Sequence, residues 1–311
     1  MGRIGDGDMS LLELSKYCGE LGAAVLTDEP LKSRCTFKIG GPAALFIEAK
    51  DESEIKKILK AAARFKARVF VLGNGSNVLF SDEGFDGLVL HIWEGLHTIR
   101  LIGEDTVEAG SGASLKSLCV FAAEHGLSGL EFAYGIPGSV GGAVCMNAGA
   151  YGGEMKDVLK SVRHLTMDGD MGGFKGEALD LSYRHSAYSK GGFVITSAVF
   201  KLKKGDKSEI TAKMDDFMRR RREKQPLDIP SAGSTFKRPA TGYASALIDE
   251  CGLKGRTVGG AKVSEKHAGF IVNTGGATCL DVLGLIDVIK AEVMRKKGVE
   301  LSCEVKVVGA C

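Results

Sequence analysis

GIPGSVGGAVCMNAGAYGGE, residues 135–154, holds seven glycines in twenty positions, and most of the remaining residues are small. Glycine loses more backbone freedom on folding than any other residue. A segment this bare of side chains is retained where something must come close to the main chain. A second such stretch, LGNGSNVLF (72–80), follows directly on ARVFVLG (67–73), which reads as a strand. Between a strand and a helix, successive backbone N–H groups can converge on an anion, and glycine lets a phosphate touch them. The Ser76 hydroxyl and the Asn77 amide can add hydrogen bonds. Tight turns alone account for one loop of this kind. Two of this density point to a long ligand with a diphosphate, gripped from two sides.

The common nucleotide fingerprints are absent. The chain has no G-x-G-x-x-G and no G-K dipeptide, so neither a Rossmann dinucleotide site nor a Walker loop is supported. Around the two loops, strand and helix signals alternate from about residue 36 to 200. AALFIEA (43–49) reads as a strand. Asp51 with Glu54 three residues on makes a capping-box pattern, and Ile55, Ile58, Leu59 and Ala62 fall on one helical face. Leu115, Leu118, Cys119 and Ala122 make another such face, closed by Gly126. VRHLTMDGD and GGFVITSAVFKL read as strands. Residues 206–224 read as a helix, and QPLDIPSAGSTFKRP (225–239) as a loop at a change of module. A long helix over 280–297 buries Leu283, Ile286, Ile289 and Val293 and ends at Gly298. VELSCEVKVVG (299–309) alternates like a strand.

The bulk numbers are those of an ordinary globular chain. It has 311 residues, 44% hydrophobic and 26% charged, with a net charge of +2. That length favours at least two domains. The charge is too balanced to indicate nucleic-acid or acidic-membrane binding. No stretch approaches the ~20 apolar residues of a membrane span, and the opening MGRIGDGDMSLLEL is too acidic for a signal peptide. Eight scattered cysteines with no C-x-x-C pair read as reduced thiols of a cytoplasmic protein. No histidines are spaced as a ligand pair, so no metal is expected.

GNGSN followed by GIPGSVGGAVCMNAGAYGGE resembles the flavin-binding half of the UDP-N-acetylenolpyruvoylglucosamine reductase family, also called UDP-N-acetylmuramate dehydrogenases, of bacterial cell-wall synthesis. The resemblance runs from TFKIGGPA (36–43) to EVKVVG (304–309) and takes in YRHSAYS (183–189), KQPLDIPSAGSTFKRP (224–239) and CEV (303–305). It implies an α+β fold: a two-lobed FAD-binding domain of the vanillyl-alcohol-oxidase (PCMH) type and a smaller α/β substrate-binding domain. The expected divisions are 1–73 and 74–205 for the two FAD lobes, 206–300 for the substrate domain, and 301–311 for a terminal strand carrying a catalytic glutamate. The implied reaction is NADPH-dependent, FAD-mediated reduction of UDP-N-acetylglucosamine enolpyruvate to UDP-N-acetylmuramate by a cytoplasmic monomer.

The same resemblance names the candidate residues. Gly73, Asn74, Gly75, Ser76 and Asn77 of the first loop would bind FAD. So would Gly135, Ile136, Pro137, Gly138, Ser139, Gly141, Gly142, Asn147, Gly149 and Ala150 of the second. Arg184, Ser234 and Glu304 would be catalytic. Arg184 suits a clamp on a carboxylate that gains charge, since its planar fork is always cationic; a structural salt bridge is the bland alternative. Glu304 suits a hydrogen bond to the developing enol if burial raises its pKa; a solvent-facing strand glutamate is the alternative. Ser234 matches the family's proton donor, and otherwise reads as a cap in AGSTF. Lys224 matches a lysine that holds substrate or nicotinamide nucleotide. Tyr183, Lys262 and Asn273 are further substrate candidates, while His267 reads better as a satisfied loop histidine.

The chain departs from the family pattern at Ser302 and Cys303, where many members carry an acidic residue and proline. The short spacing between YRHSAYS and the lysine motif leaves no room for a tyrosine-bearing loop found in one subclass, so the chain resembles the shorter subclass. A sugar or hydroxy-acid oxidase of the same fold is the alternative function. Such relatives often attach flavin through histidine, and neither glycine loop contains one, so noncovalent FAD is expected. A non-catalytic sugar-nucleotide binder is a further alternative, disfavoured by the arginine, serine and glutamate motifs.

Overall fold

The computed structural model describes residues 6–93 and 95–310; the start of the acidic opening stretch and Cys311 lie outside them. The chain divides into two units that are interleaved in sequence. The first comprises Leu45–Asn74, Gly87–Arg220 and the described residues up to Thr27. The second comprises Asp28–Ala44, Gly75–Asp86 and the described residues from Arg221 onward. Helices and sheets are mixed in an α+β fold.

The helices α1 (Asp6–Glu20) and α2 (Glu52–Arg64) accompany a sheet of four strands, most of whose residues belong to the first unit, in the order Val25–Pro30, Pro42–Glu48, Phe85–His91, Val69–Leu72. The Asp51 side chain caps α2 by accepting from Glu54 N at 2.8 Å, and Glu54 Oε2 accepts from Lys50 N at 2.6 Å. The reciprocal arm of the box therefore lands one residue earlier than the pattern predicts. Ile55, Ile58, Leu59 and Ala62 are buried in one core with Leu45, Ile47, Leu88 and Leu90. Burying each such side chain contributes about 1.5–3 kcal/mol.

A second sheet of the same unit is antiparallel throughout. Its order is Met171–Lys175, Leu159–Thr166, Phe193–Lys201, Thr106–Gly110, Ile99–Gly103. The helix α3 (Leu115–Glu124), capped by Ser114, and the short α4 (Val140–Cys145) bury their apolar faces in a second core with Val107, Val162 and Phe200. The helix α5 (Lys207–Lys224) adds Ile210 and Met214 to that core.

In the second unit, Ser231–Ser234, Phe270–Asn273, Ala261–Val263 and Thr257–Val258 make an antiparallel sheet in that order. The helix α6 (Ala244–Glu250) and the long α7 (Cys279–Lys297) pack together beside it. The α7 core positions are Val282, Leu285, Ile286, Ile289 and Val293; Leu283 is only half-buried. The segment expected to be one strand over 299–309 is regular only at Lys306–Val308, which pairs in parallel with Val78–Phe80. The expected loop over 225–239 contains the strand Ser231–Ser234.

Candidate functional site

The start of the first glycine-rich loop, Gly73 and Asn74, meets the second loop within the first unit. The strand Val69–Leu72 ends at Gly73, where a Cβ would run into the Ser139 hydroxyl. Asn74 Nδ2 donates to the Pro137 carbonyl at 2.7 Å. Ser139 caps α4 by accepting from Gly142 N at 3.2 Å. The neighbouring amides of α4 are also spoken for, Val140 N by Ala113 O and Gly141 N by Ser111 O, both at 2.8 Å. This helix start therefore turns its donors to the protein, not outward to an anion. A Cβ on Gly141 would lie 2.9 Å from Ser111 Cβ, one on Gly149 2.7 Å from Gly153 O, and one on Gly153 2.6 Å from Phe132 Cδ1. At these positions the close neighbour that excludes a side chain is the chain itself.

The YRHSAYS motif forms a turn against the end of the same loop. Ser182 and His185 exchange backbone hydrogen bonds, each at 3.1 Å, leaving Tyr183 and Arg184 as a two-residue connection. Arg184 sits at φ +53, a left-handed conformation uncommon outside glycine, asparagine and aspartate. Its guanidinium lies 5.0 Å from the ring centre of the exposed Tyr183, and Nη2 donates to Gly149 O at 3.3 Å. Ser186 and Ser189 hydroxyls both donate to Cys145 O, at 2.7 and 3.0 Å, which ties the motif to the last turn of α4.

Three motifs converge in the second unit. Gly233, at φ +76, makes a bulge in the strand Ser231–Ser234, and Ser234 emerges from it exposed. One residue on, Thr235 O accepts from Glu304 N at 2.8 Å, Phe236 pairs with Cys303, and Lys237 N donates to Ser302 O at 2.8 Å. Ser234, at the end of its strand, and the half-buried Glu304, on the irregular segment bridged to the residues just after it, are therefore one position apart in register. Asn77 Nδ2 donates to Glu304 O at 3.2 Å and Asn77 O accepts from Lys306 N at 3.0 Å. Ser302 engages Lys237 through its main-chain carbonyl, and the bridge at Cys303 is closed by the Lys237 and Glu304 amides.

Residues 225–308 match the family model "UDP-N-acetylenolpyruvoylglucosamine reductase, C-terminal domain", and residues 43–172 match "FAD binding domain". The UDP-N-acetylenolpyruvoylglucosamine reductase of Syntrophomonas wolfei is 50% identical over 282 residues, covering 91% of this chain and 94% of its own. That of Clostridioides difficile is 45% identical over 285 residues, covering 92% and 93%. The chain belongs to the UDP-N-acetylenolpyruvoylglucosamine reductase family. Among solved structures, the family's enzyme from Thermus caldophilus superposes with a TM-score of 0.78 at 38% identity, covering 92% of this chain and 99% of that one.

The first loop fits the flavin dinucleotide that the matched domain's description names. Gly75 is buried at φ +62, and among the described residues the amides of Gly75, Ser76 and Asn77 donate to no protein acceptor. Consecutive open N–H groups suit a diphosphate, whereas leaving a buried amide unpaired costs about 1–3 kcal/mol. The family's remaining candidates differ in what they have free. Asn273 spends its side chain internally: Nδ2 donates to Phe37 O and Lys38 O, and Oδ1 accepts from Gly275 N and Ala277 N. Lys262 Nζ is 3.0 Å from Glu265 Oε1, and Lys224 is the exposed last residue of α5. His267 Nδ1 accepts from Gly269 N at 3.2 Å, and burial lowers its pKa, which keeps the ring neutral. Among the described residues no cluster of histidine, cysteine, aspartate and glutamate could hold a metal, and no helix is long and apolar enough to cross a membrane. The sequence reading missed Asn77 as a strut for the Glu304 strand; nothing local in GNGSN signals a partner 227 residues away.

Proposed function

We propose that the chain reduces UDP-N-acetylglucosamine enolpyruvate to UDP-N-acetylmuramate in peptidoglycan synthesis, with noncovalent FAD and with NADPH as the hydride source, acting as a cytoplasmic monomer. The observation that carries this reading is the main-chain pairing of the Glu304 segment with the end of the strand that bears Ser234, while Asn77 holds the same segment through Glu304 O and Lys306 N. FAD, held by the two glycine-rich loops, would supply the hydride chemistry between NADPH and the carbon–carbon double bond, and a proton from the protein completes the saturated product. As hydride arrives, negative charge builds on the substrate carboxylate. Arg184, held in a strained turn, clamps that carboxylate with a permanently charged fork. Glu304 hydrogen-bonds the developing enol, and Ser234 delivers the proton to the adjacent carbon.

Gly75, Ser76 and Asn77 would hold the diphosphate through their amides, and Gly73, Asn74 and the 135–150 loop would hold the rest of the cofactor. Tyr183, Lys224 and Lys262 contact the nucleotide sugar or nicotinamide nucleotide. Asn273, with its side chain engaged inside the protein, shapes the strand that pairs with the one carrying Lys262. The test is steady-state oxidation of NADPH by the FAD-loaded protein with and without the enolpyruvate. Substrate-dependent oxidation supports the reading, and its absence refutes it. Ser234→Ala is expected to slow the second half-reaction by about 10²–10⁴-fold, with flavin reduction by NADPH unchanged in stopped-flow traces.

A further inference from the structure

We infer that Asn147 is a positioning residue for Arg184 and not a ligand of the cofactor. This rests on the reading of Arg184 as the carboxylate clamp. Asn147 is 0% exposed and sits at φ +40. Both protons of Nδ2 are used, one to Glu154 Oε2 at 2.7 Å and one to Ser182 O at 2.8 Å, and Oδ1 accepts from Lys156 N at 2.9 Å. An amide with both donors spent and its oxygen engaged, wholly buried, has nothing left to offer a ligand. Two acceptors on one side and one donor on the other also fix which atom is nitrogen.

The carbonyl that Asn147 holds is the hinge of the arginine turn. Ser182 O accepts from His185 N at 3.1 Å as well, closing the two-residue connection that forces Arg184 to φ +53. Two residues beyond Asn147, Gly149 O receives the Arg184 guanidinium. Gly149 and Ala150 pair with Glu154 and Gly153, folding the segment back so that Glu154 meets Asn147. Glu154 is itself fixed by Lys156 Nζ at 2.7 Å and by its reciprocal cap with Asp157. One short hairpin thus grips both the entry to the strained turn and the side chain it presents. A left-handed non-glycine residue persists only where its surroundings over-determine it, and these contacts do so.

The experiment compares Asn147→Ala, Glu154→Ala, Glu154→Gln and Arg184→Ala, measuring FAD affinity, flavin reduction by NADPH, and reoxidation by the enolpyruvate. Asn147→Ala and Glu154→Ala are expected to slow reoxidation roughly ten- to a hundredfold, as small misplacements of a reacting group do, with FAD affinity and flavin reduction within about twofold of wild type. Glu154→Gln keeps one acceptor oxygen for Asn147 but loses the ion pair with Lys156, and is expected to fall between wild type and Glu154→Ala. Weakened FAD binding with normal reoxidation per bound flavin would make Asn147 a cofactor ligand and overturn the inference, as would an equal loss in both half-reactions. If Asn147→Ala does not fold, the Glu154 pair decides alone. Full activity in Arg184→Ala would refute the clamp itself; loss there with normal Glu154→Ala would refute only the positioning role.

Discussion

Gly75 shows how a single residue can answer to two demands. Its amide is open, yet its lack of a side chain is required by the protein, since a Cβ there would run into Arg34 O and lie 2.8 Å from Cys35 Cα. Gly75→Ala is therefore expected to destabilise even the cofactor-free protein, through a left-handed φ costing about 1–3 kcal/mol plus a backbone clash. Gly152, also left-handed at φ +86 but with nothing within 4 Å, provides the control. Its alanine variant is expected to lose only about 1–2 kcal/mol. Thermal melts of the two apo-variants test the difference; equal losses would show that Gly75 is glycine for conformation alone. The density of glycine was visible in the sequence. Which glycines face the chain and which leave an amide open was not, because that depends on segments far away along the chain.

At the scale of elements, the helices were the most legible, because a 3.6-residue period is written locally. Thr278 caps α7 with a full reciprocal box: its hydroxyl accepts from Asp281 N at 3.0 Å, and Asp281 Oδ2 accepts from Thr278 N at 3.0 Å and Gly260 N at 3.1 Å. Thr278→Ala is expected to lower stability by about 1 kcal/mol in denaturant titration. The amides of Thr278 and Gly260 hold the Asp281 carboxyl below its ordinary pKa. The folded state thus binds that proton less readily than the unfolded chain. The contribution is complete above the ordinary aspartate value, about 4, and fades as pH falls below it. Asp281→Asn should remove that part of the acid dependence; an unchanged acid limb would count against it. The terminal strand was less legible. Alternation over 299–309 predicts one strand, but Ser302 and Cys303 pair with Lys237 and Phe236 while Lys306–Val308 turns to Val78–Phe80. A change of partner breaks regularity without changing the pattern of side chains. On α7, the i, i+3, i+4, i+7 rule chose Leu283, and packing against the sheet chose Val282 and Leu285.

For the molecule as a whole, FAD is a ligand of the folded state only. At a hundredfold excess over its Kd it should add ~2.7 kcal/mol, seen as a rise in Tm of roughly 5 °C for a chain of this size. Acid precipitation of the loaded protein should leave the yellow colour in the supernatant, as noncovalent attachment requires. No thermal shift with FAD would contradict the cofactor assignment. The sequence by itself determined the α+β alternation, the helix faces and caps, and the motifs that mark the family, because each is written within some twenty consecutive residues. Only tertiary structure set the Glu304 strand beside Ser234 and Asn77, closed the α4 amides onto residues 111–113, and locked Arg184 into its turn through Asn147. Those relations join segments tens to hundreds of residues apart, and hydrogen-bond geometry between them exists only once the backbone has closed the distance.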